Sequence, residues 1–309
     1  MSNPRWNIPK PLYICGPTAS GKSALAIELA KRLDGEIVNA DAYQLYRGLE
    51  IISAAPDAGE FARATHHLYG VLEPSELCDA MRFREMALPV IEEIQSRGKV
   101  PIITGGSGMY LKFLTHGPSP VPSGDDKLRN ELEKESDASL IDRLNHLDPE
   151  GAAITNLKNR RYVIRAVEIC LLSGRKMSEV KSDWKQASTA IEKDLRGVYL
   201  LWDREQLRQR INLRAAAMLD HGAIDEVAGL TEASATCEKA IGIPQIRAHL
   251  AGELSREECA DRIAAATRQY AKRQRTWFGK EKWLTPCPVD GGTEVRSLAG
   301  EVVSMLGNR

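Results

Sequence analysis

The stretch GPTASGKS, residues 16–23, matches the pattern G-x-x-x-x-G-K-[ST]. It follows the apolar run Leu12–Cys15 and precedes the amphipathic residues 24–30, so its context is strand, loop and helix. In such a loop the backbone N–H groups converge on phosphate oxygens, Lys22 reaches the outer phosphate and the Ser23 hydroxyl ligates Mg²⁺. We therefore predict a diphosphate cradle, with Ser23 as metal ligand, formed by Gly16, Pro17, Thr18, Ala19, Ser20, Gly21, Lys22 and Ser23.

The composition is that of an ordinary globular protein. The chain has 309 residues, of which 43% are hydrophobic and 27% charged, and its length suggests about two domains. No apolar run approaches the roughly 18 residues of a membrane span, and the start MSNPRWNIPK lacks the apolar core of a signal peptide. We expect a cytoplasmic protein without membrane contact, and a monomer.

The net charge and the cysteine positions limit the kinds of binding site that the sequence indicates. The net charge is zero, so a polyanionic partner must be held by local clusters of cations. The six cysteines are scattered and form no C-x-x-C pair, so neither a disulfide framework nor a zinc site is indicated. We expect each of them to be a small buried apolar side chain.

Strand and helix patterns alternate along the first third of the chain. Residues 36–40 and 100–104 read as a second and a third strand, and residues 79–97 as the helix between them, with a kink or a late start at Pro89. Together with the phosphate loop, this alternation predicts an α/β fold of the P-loop nucleoside-triphosphatase type, a parallel sheet with flanking helices. Its ligands should lie at the carboxyl ends of the strands.

The pattern changes after residue 117. Residues 118–125 are rich in proline and serine and read as a linker, and charged helical patterns follow to about Gly174. Residues 198–202 then read as a fourth strand, followed by helices over residues 204–219 and 255–278. The predicted domains are a P-loop core of residues 1–117 and 196–309 and a helical insertion of residues 118–195.

The loops after the second and third strands carry further candidate residues. Asp41 follows the second strand, where it could act as a general base or contact a water ligand of Mg²⁺. The alternative is that Asp41 only caps the N-terminus of a helix. Tyr43 and Gln44 offer stacking and hydrogen bonds. After the third strand, the segment TGGSGMY, residues 104–110, brings Ser107 and Tyr110 within reach of a substrate, unless it is a plain capping turn.

Two arginines after the fourth strand are further candidates. The spacing of Arg210 and Arg214 places them on one helix face, where they would clamp the diphosphate or an RNA phosphate, unless both are surface charges. We predict Arg210 as a diphosphate ligand. His66 and His67 are neighbours in the chain and do not converge on one ion, so structural roles are favoured for both.

A phosphate cradle alone leaves the reaction open. In kinases and nucleotide hydrolases the γ-phosphoryl group moves, whereas a diphosphate is also a leaving group for a carbon electrophile. One alternative is therefore an ATP-dependent nucleoside or nucleotide kinase, which would have no use for a basic segment near the end of the chain. Another is a non-catalytic RNA-binding protein, which would not need Lys22, Ser23 and Asp41 together.

Six motifs in order resemble the tRNA dimethylallyltransferase (tRNA isopentenyltransferase) family. The similarity runs from about Tyr13 to Phe278, and all the motifs except the phosphate loop are specific in combination. They are GPTASGKS, DAYQLYRG, TGGSGMYLK, RRYVIRAVEI, AIGIPQ and TRQYAKRQRTWF. The resemblance implies transfer of a dimethylallyl group from its diphosphate to N6 of the adenosine 3′ to a tRNA anticodon, with Mg²⁺ as cofactor and the anticodon stem-loop as partner.

The resemblance also implies roles for individual residues. Lys22, Asp41 and Ser107 match catalytic positions, and Asp41 would take the proton of the attacking amine. Positions that match the family's tRNA contacts are Asp41, Ala42, Tyr43, Gln44, Ser107, Arg129, Arg161, Arg165, Lys272, Arg273 and Arg275. Trp277 and Phe278 beside the last three are predicted to stack on bases.

The sequence departs from the family's usual pattern in several places, and two of these departures remove polar groups. Ala42 stands where a serine is common, and residues 51–55 read IISAA where the family usually has Gly-Thr-Ala-Lys. One hydroxyl and one lysine are therefore missing near the expected RNA contacts, whereas the diphosphate cradle is intact.

Overall fold

The computed structural model describes residues 9–118, 120–122 and 124–307. These divide into two structural units, the core unit within Met1–Thr115 and Leu195–Arg309, and the insertion unit within His116–Asp194. Ser119 and Ser123 of the predicted linker lie outside the described residues. Residues 1–8, which belong to the N-terminal stretch predicted to contain no signal peptide, lie outside them as well.

The core unit contains a six-stranded sheet in the order β3-β2-β4-β1-β5-β6. Every pair of neighbouring strands is parallel, which confirms the predicted α/β fold with a parallel sheet. The strands are β1 (Leu12–Cys15), β2 (Gly35–Asn39), β3 (His66–His67), β4 (Val100–Gly105), β5 (Arg196–Trp202) and β6 (Leu284–Val289).

Two strands were not predicted. β3 has only two residues, too few for an alternating pattern to show. β6 contains Pro286 and Pro288, and proline normally argues against a strand because it has no N–H to donate. Both lie at the edges of the sheet, where such sequences are tolerated.

The central strands are buried on both faces, as in other parallel sheets covered by helices. In β1, Tyr13 and Cys15 pack into one apolar cluster and Leu12 and Ile14 into the other. The same division holds in β5, where Tyr199 faces the first cluster and its two neighbours face the second. Because β1, β2 and β4 are parallel, their carboxyl ends lie at the same end of the sheet. The loops that follow these strands there contain the candidate site.

Helices cover the sheet. The core unit contains α1 (Lys22–Leu33), α2 (Glu50–Ser53), α3 (Ala58–Phe61), α4 (Ala80–Ser96), α5 (Gly108–His116, whose last residue belongs to the insertion), α11 (Arg204–Asp220), α12 (Ala223–Ala228), a 3₁₀ turn (Cys237–Lys239), α13 (Ile243–Leu250), α14 (Arg256–Phe278) and α15 (Val295–Gly307).

Helix α4 begins well before Pro89, so a late start at that proline is wrong. Asp79 caps the helix by accepting a hydrogen bond from the Arg82 N–H, and Pro89 lies inside it. A proline in a helix removes one backbone hydrogen bond, and here the buried residues Phe83, Ala87, Ile91 and Ile94 provide packing that outweighs that loss.

The described residues of the insertion unit form helices joined by loops, with no strand among them. It contains α6 (Asp126–Leu132), α7 (Asp137–Leu147), α8 (Pro149–Ile154), α9 (Arg160–Ser173) and α10 (Met177–Glu192). Its own apolar core includes Leu140, Leu144, Val163, Val167 and Met177. This unit therefore buries its apolar side chains independently of the sheet.

The six cysteines are buried and unbonded, as expected for small apolar side chains. Among the described residues no helix combines the length and apolar character needed to cross a membrane.

Candidate active site

The phosphate loop connects β1 to α1 by a left-handed turn. Ala19 has φ 64° and Gly21 has φ 86°, and glycine adopts the second conformation without steric cost. Helix α1 begins at Lys22, and no side chain caps its N-terminus. Its first N–H groups are thus available for an anion at the positive end of the helix dipole.

Lys22 lies against the loop that precedes it. Its Nζ donates a hydrogen bond to the Pro17 carbonyl oxygen at 2.8 Å. Burial lowers the pKa of Lys22 to about 8; the negative charge of Asp41 opposes the shift, and the positive charge of Arg214 adds to it. The amine is therefore still mostly charged at neutral pH, but it loses its proton only slightly above physiological pH unless a further anion stabilises its charge.

Asp41 is held at the end of β2 by a residue not predicted from the sequence. Asn39 is fully buried, its Oδ1 accepts a hydrogen bond from the Asp41 N–H at 2.7 Å, and its Nδ2 donates to the Leu68 carbonyl at 2.9 Å. The Asp41 carboxylate accepts the Tyr43 N–H at 3.1 Å. This geometry fixes the direction in which the carboxylate leaves the strand.

The environment of Asp41 suits a proton acceptor. Burial raises the pKa of Asp41, whereas the charge of Lys22, the Tyr43 N–H and the charge of Arg214 lower it, and burial is the larger effect. A carboxylate with a raised pKa is a stronger base than one in water. Lys22 and Arg214 thus flank a carboxylate that remains basic.

The two candidate arginines of α11 contact the phosphate loop in different ways. Arg214 donates to the Thr18 hydroxyl at 2.7 Å, and its guanidinium lies close enough to Asp41 and Lys22 to affect the pKa of both. Arg210 donates to the Ala19 carbonyl at 2.9 Å and lies over the Trp202 ring, 4.6 Å from its centroid. Arg210 therefore holds the backbone of the loop, and Arg214 lies with the charged groups.

The loop after β4 is joined to the loop after β2. The Ala42 N–H donates to Ser107 Oγ at 2.9 Å, so Ser107 and Asp41 are neighbours, as the sequence predicts. This contact involves only the backbone of Ala42. It therefore does not need the side-chain hydroxyl of the serine that is common at this position in the family.

Gln274 is a second residue that sequence reasoning missed. Its Oε1 accepts the Thr18 N–H at 2.8 Å and its Nε2 donates to the Gly106 carbonyl at 2.9 Å. A side chain at Gly106 would collide with Gln274, because its Cβ would lie 2.1 Å from Nε2. Helix α14 is thus attached to both loops through one buried amide. The only signal was an uncharged residue among cations in the segment KRQR, residues 272–275.

These groups surround a small cavity of about 40 Å³ that is lined by both polar and apolar side chains. The lining residues are Thr18, Asp41, Tyr43, Ile52, Ser53, Arg214, Met218, Ala240, Ile241, Thr267 and Tyr270. The segment that departs from the family pattern thus contributes Ile52 and Ser53 to this cavity.

Tyr43 and Gln44 are both engaged within the core unit. The Tyr43 hydroxyl donates to the Lys239 carbonyl at 3.2 Å, and Gln44 Nε2 donates to the carbonyls of Ser53 at 3.1 Å and Ala54 at 2.8 Å. Tyr43 lines the cavity, whereas the Gln44 amide N–H groups hold the end of α2.

The three candidate cations near the end of α14 have no acidic partners among the described residues. Lys272 and Arg273 are exposed and Arg275 is half-buried, and within the described residues none of the three forms an ion pair. Trp277 is 36% exposed, but Phe278 is buried and packs near Tyr199. The prediction that Phe278 stacks on a base is therefore wrong, because its helical position turns it into the core.

The remaining arginine candidates lie in the insertion unit. Arg129, Arg161 and Arg165 line one cavity of about 1080 Å³ in that unit, with Arg160, Glu133, Tyr162 and Ile164. Arg129 and Arg165 both contact Glu168.

His66 and His67 have separate structural partners. His66 Nδ1 lies 2.8 Å from the Ala64 carbonyl, and His67 Nε2 lies 2.7 Å from Glu36 Oε2. Each ring therefore fixes a different part of the edge of the sheet.

Comparisons with known proteins agree in one family. The family model described as IPP transferase matches residues 44–281. A protein of Akkermansia muciniphila named tRNA dimethylallyltransferase is 45% identical over 297 residues, covering 96% of this chain and 99% of that protein. One of the same name from Geobacter sulfurreducens is 40% identical, covering 92% and 94%.

Solved structures give the same result. The tRNA delta(2)-isopentenylpyrophosphate transferase of Staphylococcus epidermidis is 31% identical, with a TM-score of 0.69 over 97% of this chain and 99% of that one. A eukaryotic dimethylallyltransferase acting on tRNA is 27% identical, with a TM-score of 0.77 over 97% of this chain and 79% of that one. These relatives are transferases, so neither the kinase nor the non-catalytic alternative is supported.

Proposed function

The chain belongs to the IPP transferase family, and on that premise we propose that it transfers a dimethylallyl group from dimethylallyl diphosphate to N6 of the adenosine 3′-adjacent to the tRNA anticodon. The observation that carries the proposal is the grouping of one basic carboxylate, Asp41, with two cations, Lys22 and Arg214, at the phosphate loop. With tRNA as the substrate, we propose that the reaction takes place in the cytoplasm.

The proposed reaction needs both kinds of group. The bond between the allylic carbon and its diphosphate oxygen breaks, and the electron pair leaves with the diphosphate. The N6 nitrogen forms the new bond to that carbon and loses a proton, which Asp41 accepts. Lys22 and Arg214 stabilise the charge that develops on the leaving diphosphate, and the N–H groups of residues 19–23 add to this stabilisation.

The other candidate residues have supporting roles in this proposal. Arg210 holds the loop through the Ala19 carbonyl, and we assign a contact with the target base to the Ser107 hydroxyl, which neighbours Asp41. The adenosine must leave its stack to reach Asp41, at a cost of a few kcal/mol. The apolar residues Ile52, Met218 and Ile241 offer a surface for the dimethylallyl group.

The residues present fit a Mg²⁺ ion held mainly by its substrate. Among the described residues, no group of three or more His, Cys, Asp or Glu side chains could hold a metal ion. The Ser23 hydroxyl lies at the start of α1 and forms no hydrogen bond within the described residues. Mg²⁺ commonly keeps several waters and binds one or two protein oxygens with phosphate oxygens, which matches this donor set. Bound there, it would neutralise diphosphate charge and assist departure.

We further propose that cations of both units bind tRNA. In the core unit these are Lys272, Arg273 and Arg275, with Trp277 as a stacking surface. In the insertion unit they are Arg129, Arg161 and Arg165. Because the whole chain carries no net charge, these local clusters would supply the attraction for the RNA backbone.

The direct test is a product analysis. The protein is incubated with Mg²⁺, unmodified tRNA and dimethylallyl diphosphate, and the digested RNA is examined by mass spectrometry, with an ATP-only sample alongside. We expect a dimethylallyl group on the adenosine 3′ to the anticodon. A phosphorylated product with ATP and no prenylated adenosine would overturn the proposal in favour of a kinase.

The rate of transfer should depend on pH on both sides of neutrality. Asp41 must be unprotonated and its pKa is raised, so kcat/KM for dimethylallyl diphosphate should fall on the acidic side at a pH above the ordinary aspartate range. Lys22 must be charged and its pKa is about 8, so kcat/KM should fall again above that pH. Lys22→Arg, which stays charged, should lose the alkaline limb; an unchanged alkaline limb would show that Lys22 is not its origin.

Removing two cations of α14 should weaken tRNA binding without stopping the chemistry. For Arg273→Gln with Arg275→Gln we expect lower tRNA affinity and a salt dependence reduced by about two phosphate contacts, since each cation accounts for about one. Fluorescence anisotropy over a salt series measures both quantities. The control is Arg296→Gln, an exposed cation on α15; a salt dependence equal to that of the parent chain would contradict the assignment.

A further inference from the structure

The insertion unit contains one carboxylate that is entirely removed from solvent between two arginines. Glu168, on α9, has 0% exposure. Arg129 Nη2 donates to its two oxygens at 3.1 and 3.3 Å, and Arg165 Nη1 donates to Oε2 at 2.6 Å. The Asp125 N–H donates to Oε1 at 2.9 Å. Glu168 therefore joins α6, α9 and the segment before α6 through one carboxylate.

These contacts keep Glu168 ionised. Burial by itself would raise its pKa, but the hydrogen bond from Arg165, the Asp125 N–H and the charges of the arginines outweigh it, so the pKa of Glu168 lies below its usual range. Charge-assisted hydrogen bonds to guanidinium groups are directional, and two of them on one carboxylate fix the planes of both arginines. Arg165 is fixed further by donation to the Pro122 carbonyl at 2.5 Å.

The two arginines are not consumed by this pairing. The buried Glu168 balances one of the two positive charges, and the exposed Asp126, 3.4 Å from Arg129 Nη1, adds only a weak surface pair. The side chains of Arg129 and Arg165 remain 39% and 34% exposed. They line the cavity of about 1080 Å³ described above. Arg161 lines it as well and has no hydrogen bond or ion pair within the described residues. The cavity is thus cationic in a chain whose net charge is zero.

We propose that Glu168 is a positioning residue for tRNA binding, which holds the guanidinium groups of Arg129 and Arg165 in the orientation that meets RNA phosphates at this cavity. The proposal rests on the proposed function, because it takes tRNA as the polyanion. Glu168 itself touches no RNA in this assignment and acts only through the two arginines. Fixed guanidinium groups lose less side-chain entropy on binding a phosphate than mobile ones.

This role predicts an effect opposite in sign to that of charge alone. An acidic residue beside an RNA site repels phosphate, so its neutralisation should strengthen binding if repulsion were its only effect. If Glu168 instead orients the arginines, its neutralisation should weaken binding, although the unit becomes more positive. Glu133 provides the matched control, since it lines the same cavity and forms no ion pair within the described residues.

The experiment compares Glu168→Gln and Glu133→Gln in the full chain, with tRNA affinity measured by anisotropy over a salt series. We expect Glu168→Gln to lower tRNA affinity about tenfold, the equivalent of one charge-assisted hydrogen bond, and to reduce the salt dependence. Glu133→Gln should raise affinity slightly. The KM for dimethylallyl diphosphate should not change in either variant. Higher affinity in Glu168→Gln would overturn the proposal.

Two further variants separate orientation from folding. In a chain that already carries Arg129→Gln and Arg165→Gln, Glu168→Gln should cost no further tRNA affinity, whereas a purely structural role would still lower it. Glu168→Asp keeps the charge but retracts the carboxylate from the arginines, so it should also lower tRNA affinity. This variant tests the proposal even if Glu168→Gln does not fold. Unchanged affinity in a folded Glu168→Asp would overturn the proposal.

Failure of this inference is distinguishable from failure of the proposed function. A parent chain that binds tRNA but makes no prenylated adenosine would contradict prenyl transfer, while the effect of Glu168→Gln on affinity would still decide the positioning role. A parent chain that does not bind tRNA would overturn both.

Discussion

Replacing Asp41 with asparagine is expected to lower kcat for prenyl transfer by about 10²–10⁴-fold, the usual contribution of a positioned base. Asparagine has the same shape and its Oδ1 can still accept the Tyr43 N–H, so the loop should keep its conformation. The N6 proton then has no acceptor as the new bond forms. Because proton transfer occurs only in the transition state, tRNA affinity should change little.

Single-turnover kinetics and tRNA anisotropy measure the two quantities separately. The control is Asp34→Asn, an exposed aspartate that ends α1 in a left-handed conformation that asparagine tolerates. It should leave kcat unchanged. Equal losses of kcat and tRNA affinity in Asp41→Asn would show that Asp41 binds the RNA rather than accepting a proton.

Replacing Lys22 with methionine is expected to reduce kcat/KM for dimethylallyl diphosphate by about 10³-fold, at the upper end for the loss of one group that stabilises a developing anion. Methionine keeps the apolar length of the side chain but removes its charge. Since the charge of Lys22 lowers the pKa of Asp41, its loss should also move the acidic limb of the pH profile to higher pH. Few other roles for Lys22 would produce both effects.

Calorimetry with inorganic diphosphate tests the binding part of this prediction, and a pH series tests the rest. Lys31→Met is the control, because Lys31 lies on the same helix but is exposed and paired with Glu28. Affinity for diphosphate equal to that of the parent chain would exclude Lys22 from the cradle. A loss of diphosphate affinity with an unmoved acidic limb would separate Lys22 from Asp41.

The central part of the fold was predictable because its signals are local. A four-residue apolar strand, a glycine-containing loop and an amphipathic helix are adjacent in the chain, and the parallel sheet follows from their alternation. The positions of Lys22, Asp41 and Ser107 at one edge follow in turn, since each ends or follows a strand of that sheet. Family motifs then identified the chemistry.

Two of the residues that escaped prediction, Gln274 and Glu168, act over long separations in the chain. Gln274 contacts a backbone amide 256 positions away, and no local pattern announces such a contact. Asn39 looked like an ordinary strand residue, although its side chain orients Asp41. Glu168 lay within a recognised motif, but its role depends on Arg129, 39 positions away. Phe278 was misassigned for the related reason that periodicity alone does not show which helix face is buried.

The two edge strands of the sheet also determine how the protein behaves at high concentration. Pro286 and Pro288 are two positions apart in β6, so both lack an N–H on the same side of the strand. Because β6 pairs with β5 along its whole length, this side, where the two prolines lack N–H groups, is the open edge of the sheet. At the opposite edge, β3 offers only two residues. Neither edge is a template on which a strand from another molecule would extend the sheet, so edge-to-edge aggregation is disfavoured by the same irregularities that hid both strands in the sequence.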